Sequence, residues 1–365
     1  MDKYQLRDML ASMSQLPGIT LGGAQTHALE GMKKCRTHEL GGRVLECPEC
    51  GTRIVQYNPC NIRGCPICSE KNQIQWKKKA SRRILPTRHF HLIFTIPEHY
   101  TKIWLKNKRE VAESLFQAVR TAIKTSIESE ELLVGSLLVF HSHGIGMSYK
   151  PHMHCALSGG GLDDKGIYRE LRSIPFHDLE AIVKKEFEGN IKKSIGTEET
   201  AELCFEKGNN YRVYSGYHED TGDHIIRYLS RTRYGVVIDI ERELEVVDNG
   251  LVIKQDENDC VHITHLDKKT FLERYLNHIP PERIVMARYY GLYSNRHKED
   301  YKKARKQVKD QSKKEEDEPY IELCPVCNAE TRVVFLFKRD ELHLIPEIRA
   351  MKEPPMHGDI INSRT

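Results

Sequence analysis

Short apolar runs bounded by glycine or proline alternate with longer segments of helical periodicity in the middle of the chain. Residues 102–130 and parts of 167–187 repeat apolar positions at the helical period, which predicts helices. Four runs rich in β-branched and aromatic residues predict strands, namely HFHLIFTIP (89–97), LLVGSLLVFH (132–141), HMHCALSG (152–159) and YGVVIDIERELEVV (234–247). The mixture predicts an α+β fold with a central antiparallel sheet flanked by helices.

Composition limits the class of protein. The chain has 365 residues, 39% of them hydrophobic, and 56 Lys plus Arg against 52 Asp plus Glu give a net charge of +4. This length is enough for two or three domains. No run approaches the ~18 consecutive apolar residues of a membrane span, and the N-terminal residues mix acids and bases where a signal peptide needs an apolar block. We therefore expect a cytoplasmic protein without a membrane partner.

The cysteines point to metal rather than to disulfides. There are eleven, and a cytoplasmic chain with an odd number favours metal binding. Six lie between Cys35 and Cys68, where Cys47-x2-Cys50 is followed after fourteen residues by Cys65-x2-Cys68. This is the spacing of a zinc ribbon, in which four thiolates surround a structural Zn²⁺. The sequence therefore predicts a zinc-ribbon-like module held by these two pairs.

Further cysteines and a histidine could bind a second metal ion or could be structural residues. Cys35, His38 and Cys60 lie in the same window and form most of a second zinc site without an identified fourth ligand. The alternative is that they are buried thiols, since free cysteine is among the most buried residue types. Cys324 and Cys327 are half of a zinc knuckle without a local second half, so the role of this pair stays open.

Two basic segments flank the central part of the chain. Residues 71–88 contain seven bases and no acid: Lys71, Lys77, Lys78, Lys79, Arg82, Arg83 and Arg88. Their position beside the cysteine window favours phosphate binding over a merely solvated helix face. Residues 296–314 predict an exposed helix and linker. At 288–296, Arg288, Tyr290 and Arg296 belong to a mixture of tyrosines and arginines that suits single-stranded DNA, although core packing of the tyrosines is an equal alternative.

The sharpest chemical feature is the PHMHC motif, in which one apolar residue separates His152 from His154. On a strand, side chains at i and i+2 share a face, so both imidazoles point the same way and Met153 packs on the other side. Such a pair is half of a divalent-metal site, although it can equally be a structural pair. His141, or its neighbour His143, ends an apolar strand that can form a hairpin with the next one and so lie beside the pair.

The order of these motifs resembles transposases of the insertion sequence 91 type, which belong to the HUH endonuclease superfamily. The resemblance covers roughly residues 30 to 300 and includes FHLIFTIP, PHMHCALSGGGLD, IIRYLSRTRYGVVI and FLERYLNHIPPERIVMARYYGLYSNR. Together with the charge and cysteine patterns, the resemblance predicts an organisation in five parts. These are an N-terminal helix and zinc-binding module (1–70), a basic connecting helix (71–88), an HUH endonuclease core (89–297), a charged linker (298–318) and a C-terminal tail with the CxxC pair (319–365).

The resemblance also implies a chemistry. His152 and His154 match the family's histidine pair, and the H-x10-H-x-H spacing is similar to that of conjugative relaxases, which adds His141 as a third ligand of a catalytic Mg²⁺ or Mn²⁺. A helix is expected to present a tyrosine that forms a covalent 5′-phosphotyrosine. The implied partner is single-stranded DNA at transposon ends and target, joined by a rolling-circle route, and the implied location is the nucleoid.

The choice of tyrosine depends on a departure from the family pattern. Family members with two tyrosines carry approximately Y-L-x-R-Y, whereas this chain has Tyr228 at the first position and Thr232 at the second. Tyr234, six residues after Tyr228, is expected off the shared helix face and at the start of the next strand. We therefore expect a single catalytic tyrosine, Tyr228, with a core-packing tyrosine as the alternative. Its helix is expected to bury Ile225, Ile226 and Leu229.

Two other functions fit parts of the sequence. A replication initiator or relaxase-like nickase would use the same tyrosine and metal, and the lack of a partner helicase domain favours transposition over it. A zinc-ribbon DNA-binding regulator without catalysis would need the His-x-His pair only for structure.

Overall fold

The computed structural model describes residues 1–127, 132–196, 211–219, 222–234, 238–257, 260–280, 284–308, 322–349, 351 and 353–361. The chain divides into two compact units. Unit 1 comprises Met1–Ser69 and Lys314–Thr365, and unit 2 comprises Glu70–Lys313. The C-terminal segment, predicted from the sequence as a separate tail, therefore belongs to the same unit as the N-terminal module.

The part of the chain that the structure describes contains both helices and strands. The helices are α1 (Lys3–Met13), α2 (Gly23–Lys33), α3 (Pro66–Ser81), α4 (Tyr100–Lys106), α5 (Lys108–Ser126), α6 (Phe176–Ile195), α7 (Asp223–Tyr234), α8 (Lys268–Asn277), α9 (Lys298–Gln307) and α10 (Pro346–Arg349). The strands are β1 (Gly42–Glu46), β2 (Arg53–Tyr57), β3 (His89–Thr95), β4 (Leu133–His143), β5 (Tyr149–Leu162), β6 (Tyr168–Glu170), β7 (Arg212–Glu219), β8 (Leu244–Val247), β9 (Gly250–Glu257), β10 (Cys260–Leu266), β11 (Ala287–Gly291) and β12 (Arg332–Phe337).

Unit 1 is built on a small antiparallel sheet in the order β12-β1-β2. On the other side of β2, the backbone amide of Val55 donates to Asp359 and that of Ile361 donates to Arg53. The C-terminal segment thus covers both edges of the β1–β2 hairpin, which removes two exposed strand edges. The buried apolar cluster of this sheet combines Val44, Val55, Tyr57, Phe337, Ile345, Ile348 and Ile361.

Unit 2 contains a larger antiparallel sheet in the order β11-β4-β5-β3-β7, with β6 pairing with β5. One face packs on α5 and α6 through side chains that include Phe94, Phe140 and Met153. The other face, which includes Leu137, Val139 and Ala156, packs on α3 and α7. The predicted α+β fold with an antiparallel sheet flanked by helices is therefore confirmed. A second antiparallel sheet has the order β10-β9-β8.

Several predicted elements have different bounds in the structure. The helix predicted at 102–130 is two helices, because Asn107 has the non-helical dihedrals φ −125° and ψ 56° and separates α4 from α5. The strand predicted at 234–247 is wrong over most of its length, since only Leu244–Val247 is a strand, and 235–237 lie outside the described residues. Residues 309–318 of the predicted linker also lie outside them. Within the described ranges, no helix combines the length and apolar character that crossing a bilayer requires.

Candidate functional site

Three histidines converge on one face of the larger sheet in unit 2. Antiparallel pairing of β4 with β5 places His141 opposite His152, and His154 lies two residues further along β5. The ring centroids of His141 and His154 are 4.1 Å apart, and one ring nitrogen from each of the three residues lies within 4.8 Å of the other two. Met153 packs on the opposite face. The period of the strand therefore produces a cluster with the geometry of a metal site.

Burial keeps these imidazoles neutral. It lowers the pKa of His152 to about 4 and the pKa values of His141 and His154 well below the ordinary value. The charged form is disfavoured because the surrounding apolar side chains replace its hydration. Neutral imidazoles present the lone pairs that a divalent cation requires, so the cluster suits a cation at neutral pH.

A fourth histidine, His91 on β3, supports the cluster and was missed in the sequence analysis. Its Nε2 lies 2.8 Å from Nδ1 of His154, and the two rings stack with centroids 5.0 Å apart. Hydrogen bonding of the second ring nitrogen is the usual way in which a metal-binding imidazole is oriented. The only sequence signal was a histidine in the apolar run HFHLIF, and its place beside His154 depends on the pairing of β3 with β5.

Tyr228 lies over the histidine cluster. Helix α7 buries Ile225, Ile226 and Leu229 against the same sheet face, as the apolar pattern predicts. Tyr228 stays 46% exposed, and its ring centroid lies 5.2 Å from that of His154. Tyr234 is the last residue of α7, so the expectation that it begins a strand is wrong. The side chains of residues 231–237 lie outside the described ones.

The basic residues of α3 and the following turn lie on this same side of the sheet. Trp76 and Ala80 of α3 pack in one apolar cluster with Ile226 and Leu229 of α7. The predicted phosphate-binding residues differ in exposure: Lys78, Lys79 and Arg82 are exposed, and Lys77 and Arg83 are half-buried. The Arg83 guanidinium lies 3.9 Å from the ring centroid of Tyr289 and donates to Asn295.

The predicted DNA-binding residues at 288–296 do not lie together. Arg288 forms an ion pair with Glu113 of α5, and its guanidinium lies 4.1 Å from the ring centroid of Phe116. Tyr290 packs against the α5 side of the sheet, whereas Arg296 is exposed in the 3-10 helix that begins at Asn295. Alternation along β11 therefore directs Arg288 and Tyr290 away from the histidine face.

The cysteines of unit 1 form two groups that differ from the predicted ones. Cys35, Cys60, Cys65 and Cys68 make up the first, with Sγ atoms 3.3 Å apart for Cys35 and Cys68 and 3.7 Å apart for Cys60 and Cys68. His38 begins a 3-10 helix and is not one of the ligands of this group. Cys47, Cys50, Cys324 and Cys327 make up the second group.

The prediction that Cys47 and Cys50 share one site with Cys65 and Cys68 is therefore wrong. The physical reason is the β1–β2 hairpin. Cys47 and Cys50 lie in its turn, whereas the chain before β1 and the chain after β2 meet at its open end, about 17 Å away for five-residue strands. Sequence spacing alone does not show this separation.

Two parts of the chain match known protein families. Residues 6–96 match the family described as a transposase zinc-binding domain, and residues 135–300 match the family described as "Putative transposase". The Sinorhizobium fredii protein named "Putative transposase y4qJ" is 26% identical over 309 residues, which is 77% of each chain. The transposase for insertion sequence element IS801 of Pseudomonas savastanoi pv. phaseolicola is 23% identical over 298 residues, 73% of this chain and 69% of its own. No solved structure matches.

The two family matches and these relatives define a transposase, which is an enzyme that processes DNA. Both matched parts of the chain are similar to transposases, so the resemblance to transposases of the insertion sequence 91 type found in the sequence is confirmed.

Proposed function

We propose that this transposase nicks and rejoins single-stranded DNA through a covalent 5′-phosphotyrosine on Tyr228. The catalytic divalent cation would be held by His141, His152 and His154. The observation that carries the proposal is the position of the Tyr228 ring, 5.2 Å from His154 and 6.2 Å from His141 between ring centroids. A nucleophile and a cation-binding cluster on one face are what phosphodiester transfer requires.

The donor set fits Mg²⁺ or Mn²⁺, and Mn²⁺ tolerates imidazole ligands better. A cation bound there offsets the charge that a phosphodiester develops when it is attacked. His141 and His154 are buried, and His152 is 9% exposed, so the surrounding side chains hold these ligands in place. Preorganised ligands of this kind make the site ready for a phosphate.

Tyr228 performs the covalent step. Its Oη attacks the phosphorus, the bond from phosphorus to the 3′ oxygen breaks, and the departing 3′-hydroxyl takes up a proton while the phenol loses its own. A phenol of pKa ~10 is mostly protonated at pH 7, so a nearby positive charge favours the attack. Arg227, exposed beside Tyr228 on α7, is one such charge. The phosphotyrosine keeps the bond energy, so rejoining needs no nucleotide.

The placement of α3 supports a surface for single-stranded DNA on this side of the sheet. Its exposed bases lie on the face that carries Tyr228, and the Arg83–Tyr289 stack adds an aromatic ring and a cation. Bases combined with aromatic rings suit a single strand, whose phosphates and unstacked bases are both accessible. A released 3′-hydroxyl beside a protein-held 5′ end would suit a rolling-circle route of transposition.

The first cysteine group supports a structural zinc ion in the zinc-binding domain. Cys35, Cys60, Cys65 and Cys68 would supply the four thiolates of a closed structural site without an open position. This ion would stabilise the fold of unit 1 and take no part in the chemistry.

Nicking of single-stranded oligonucleotides with Mn²⁺ tests the proposal. Wild-type protein should give cleaved DNA and a slowly migrating adduct on a denaturing gel. Tyr228→Phe should remove both, whereas Tyr234→Phe should keep them. An adduct that persists in Tyr228→Phe would show that another residue is the nucleophile. Loss of the adduct in both variants, with folding verified, would indicate that two tyrosines act. A wild type that binds DNA without nicking it would favour a regulator. Nicking without movement of the element between replicons would favour a replication initiator.

A further inference from the structure

The second cysteine group lies partly outside both matched parts of the chain. Cys47 and Cys50 fall within residues 6–96, but Cys324 and Cys327 fall outside 6–96 and 135–300. The four side chains nevertheless come together in unit 1, with all Sγ atoms within 4.8 Å of one another. Nothing in the family match assigns a role to the C-terminal pair.

The two pairs adopt the same turn. In the first, the amide of Gly51 donates to the carbonyl of Cys47 at 2.9 Å, and the amide of Cys47 donates to Thr52 at 2.8 Å. In the second, the amide of Asn328 donates to Cys324 at 2.9 Å, and the amide of Cys324 donates to Ala329 at 2.8 Å. Cys50 and Cys324 are 274 residues apart in sequence, yet the two segments form matching knuckles.

The residue after each pair takes the left-handed conformation that such a turn needs. Gly51 has φ +68° and Asn328 has φ +60°. Glycine adopts this region without strain, and asparagine is among the few other residues that visit it routinely. In both turns a proline follows the first cysteine, at Pro48 and Pro325. The backbone is therefore shaped so that both thiolates of each pair point to one position.

The sulfur positions fit a tetrahedral ion. Sγ of Cys327 lies 3.4 Å from that of Cys47 and 3.5 Å from that of Cys50, and Sγ of Cys324 lies 3.6 Å from that of Cys50. Zn–S bonds of ~2.3 Å in a tetrahedron place sulfurs about 3.8 Å apart. A disulfide would need ~2.05 Å, and four sulfurs in mutual contact do not pair that way.

The pairing of the strands explains why the knuckles meet. β1 pairs antiparallel with β12, with Glu46 opposite Arg332. Cys47 follows the end of β1, and the 324–327 knuckle precedes the start of β12, so both lie at the same end of this strand pair. On β12 itself, Val333, Val334, Phe335 and Leu336 are 38–72% exposed. Apart from Phe337, this strand gains little from apolar burial and needs another source of stability.

We infer that Cys47, Cys50, Cys324 and Cys327 bind a second structural zinc ion that fastens the C-terminal segment 322–361 to the β1–β2 hairpin. The zinc-binding module is then discontinuous in sequence and holds two ions. Because the segment contributes Phe337, Ile345, Ile348 and Ile361 to the core of unit 1, this ion stabilises the hairpin as well as the segment. The inference is independent of the nicking chemistry.

Metal content of the purified full-length protein is the first measurement. Elemental analysis should find about two zinc ions per chain in the wild type and about one in Cys324→Ser/Cys327→Ser. Cys260→Ser, which changes an exposed cysteine on β10, is the matched control and should keep both ions. One zinc in the wild type, two in the double variant, or iron in place of zinc would each overturn the inference.

Amide hydrogen exchange covers the case in which the double variant folds poorly. Cys327→Ser alone changes an exposed side chain, and the remaining three thiolates should lose zinc to a chelator faster than the wild type does. Peptides from β12 and from 353–361 should then exchange faster, while peptides from β4 and β5 stay protected. Unchanged zinc retention, or unchanged exchange in the segment after zinc is lost, would show that no ion fastens it.

Discussion

The Nε2 atoms of His152 and His154 lie 2.9 Å apart. Nδ1 of His152 lies 2.6 Å from the carbonyl oxygen of Lys150, which can only accept, so the proton of neutral His152 is on Nδ1 and its Nε2 is a lone pair. Two arrangements of the proton on His154 are compatible with this short distance between the two ring nitrogens. Either His154 donates from Nε2 to His152, or its proton is on Nδ1 and a cation occupies the space between two lone pairs. The second arrangement requires His91 to accept from His154.

Replacement of His91 tests this role. His91→Leu removes the acceptor, so His154 loses the hydrogen bond that holds it as a metal ligand. We expect the Mn²⁺ concentration for half-maximal nicking to rise by about 10–100-fold, as is typical when such a partner of a ligand is lost. His91→Gln keeps an acceptor and should recover part of the affinity. An unchanged Mn²⁺ requirement in His91→Leu would show that His91 is only a packing residue.

Removal of the ligands themselves should separate catalysis from binding. His152→Ala and His154→Ala should abolish nicking and leave single-stranded DNA binding largely intact, because the exposed bases of α3 are unchanged. His265→Ala, an exposed histidine on β10, is the control and should nick normally. Gel-based nicking and fluorescence anisotropy measure the two properties. Normal nicking by a double Ala variant would refute the metal assignment.

Local periodicity was enough to predict part of this site. The alternation in PHMHC put His152 and His154 on one face, and the helical spacing of Ile225, Ile226 and Leu229 left Tyr228 exposed. These features depend on neighbouring residues in the chain. His91 could not be predicted in the same way, because its contact with His154 depends on which residue of β3 lies opposite β5.

The grouping of the cysteines could not be predicted from local sequence either. Zinc-ribbon spacing suggested that Cys47 and Cys65 share an ion, but the direction of the β1–β2 hairpin separates them. The true neighbours of Cys47 are Cys324 and Cys327, which reach it only through the pairing of β12 with β1. Such a contact has no signal in local spacing, because its energy comes from strand pairing between the two ends of the chain.

The exposed bases of α3 and of the turn that follows it predict a specific salt dependence of DNA binding. Lys78→Ala/Lys79→Ala/Arg82→Ala should weaken binding of single-stranded DNA at all sequences. The slope of log K against log salt should fall by about 2, since each phosphate contact on a single strand contributes ~0.7. Lys184→Ala/Lys185→Ala changes exposed bases on α6, on the opposite side of the sheet, and should leave the slope unchanged. Equal slopes for the triple variant and the wild type would show that these bases do not contact the DNA.

Arg288 should act in stability rather than in DNA binding. Its ion pair with Glu113 and its packing on Phe116 predict that Arg288→Ala lowers the free energy of unfolding by about 1 kcal/mol, measured with urea, without weakening DNA binding. Glu113→Gln should have a similar effect. If Arg288 instead contacts DNA, Arg288→Ala would weaken binding, and Glu113→Gln, which releases the guanidinium, would strengthen it.

A buried histidine outside the His141–His152–His154 cluster is expected to make stability depend on pH. Nδ1 of His89 donates to the carbonyl of Thr87 at 2.7 Å, so its Nε2 accepts from the hydroxyl of Tyr293 at 2.6 Å. Burial lowers the pKa of His89 to about 4. The unfolded chain, with a histidine pKa of ~6.5, therefore binds a proton that the folded protein does not take up until the pH is near 4.

The stability contributed by neutral His89 is thus fully present above pH ~6.5 and is lost as the pH falls towards 4. For this residue alone, the free energy of unfolding should fall by about 2 kcal/mol between pH 7 and pH 5. His89→Gln, which keeps an acceptor for Tyr293 but does not titrate, should lower stability at pH 7 and reduce the difference between the two pH values by that amount. Urea denaturation of both proteins at pH 7 and pH 5 measures it. Other buried histidines, such as His278, titrate in both proteins and cancel in the comparison. A difference as large in the variant as in the wild type would mean that His89 does not cause the acid sensitivity.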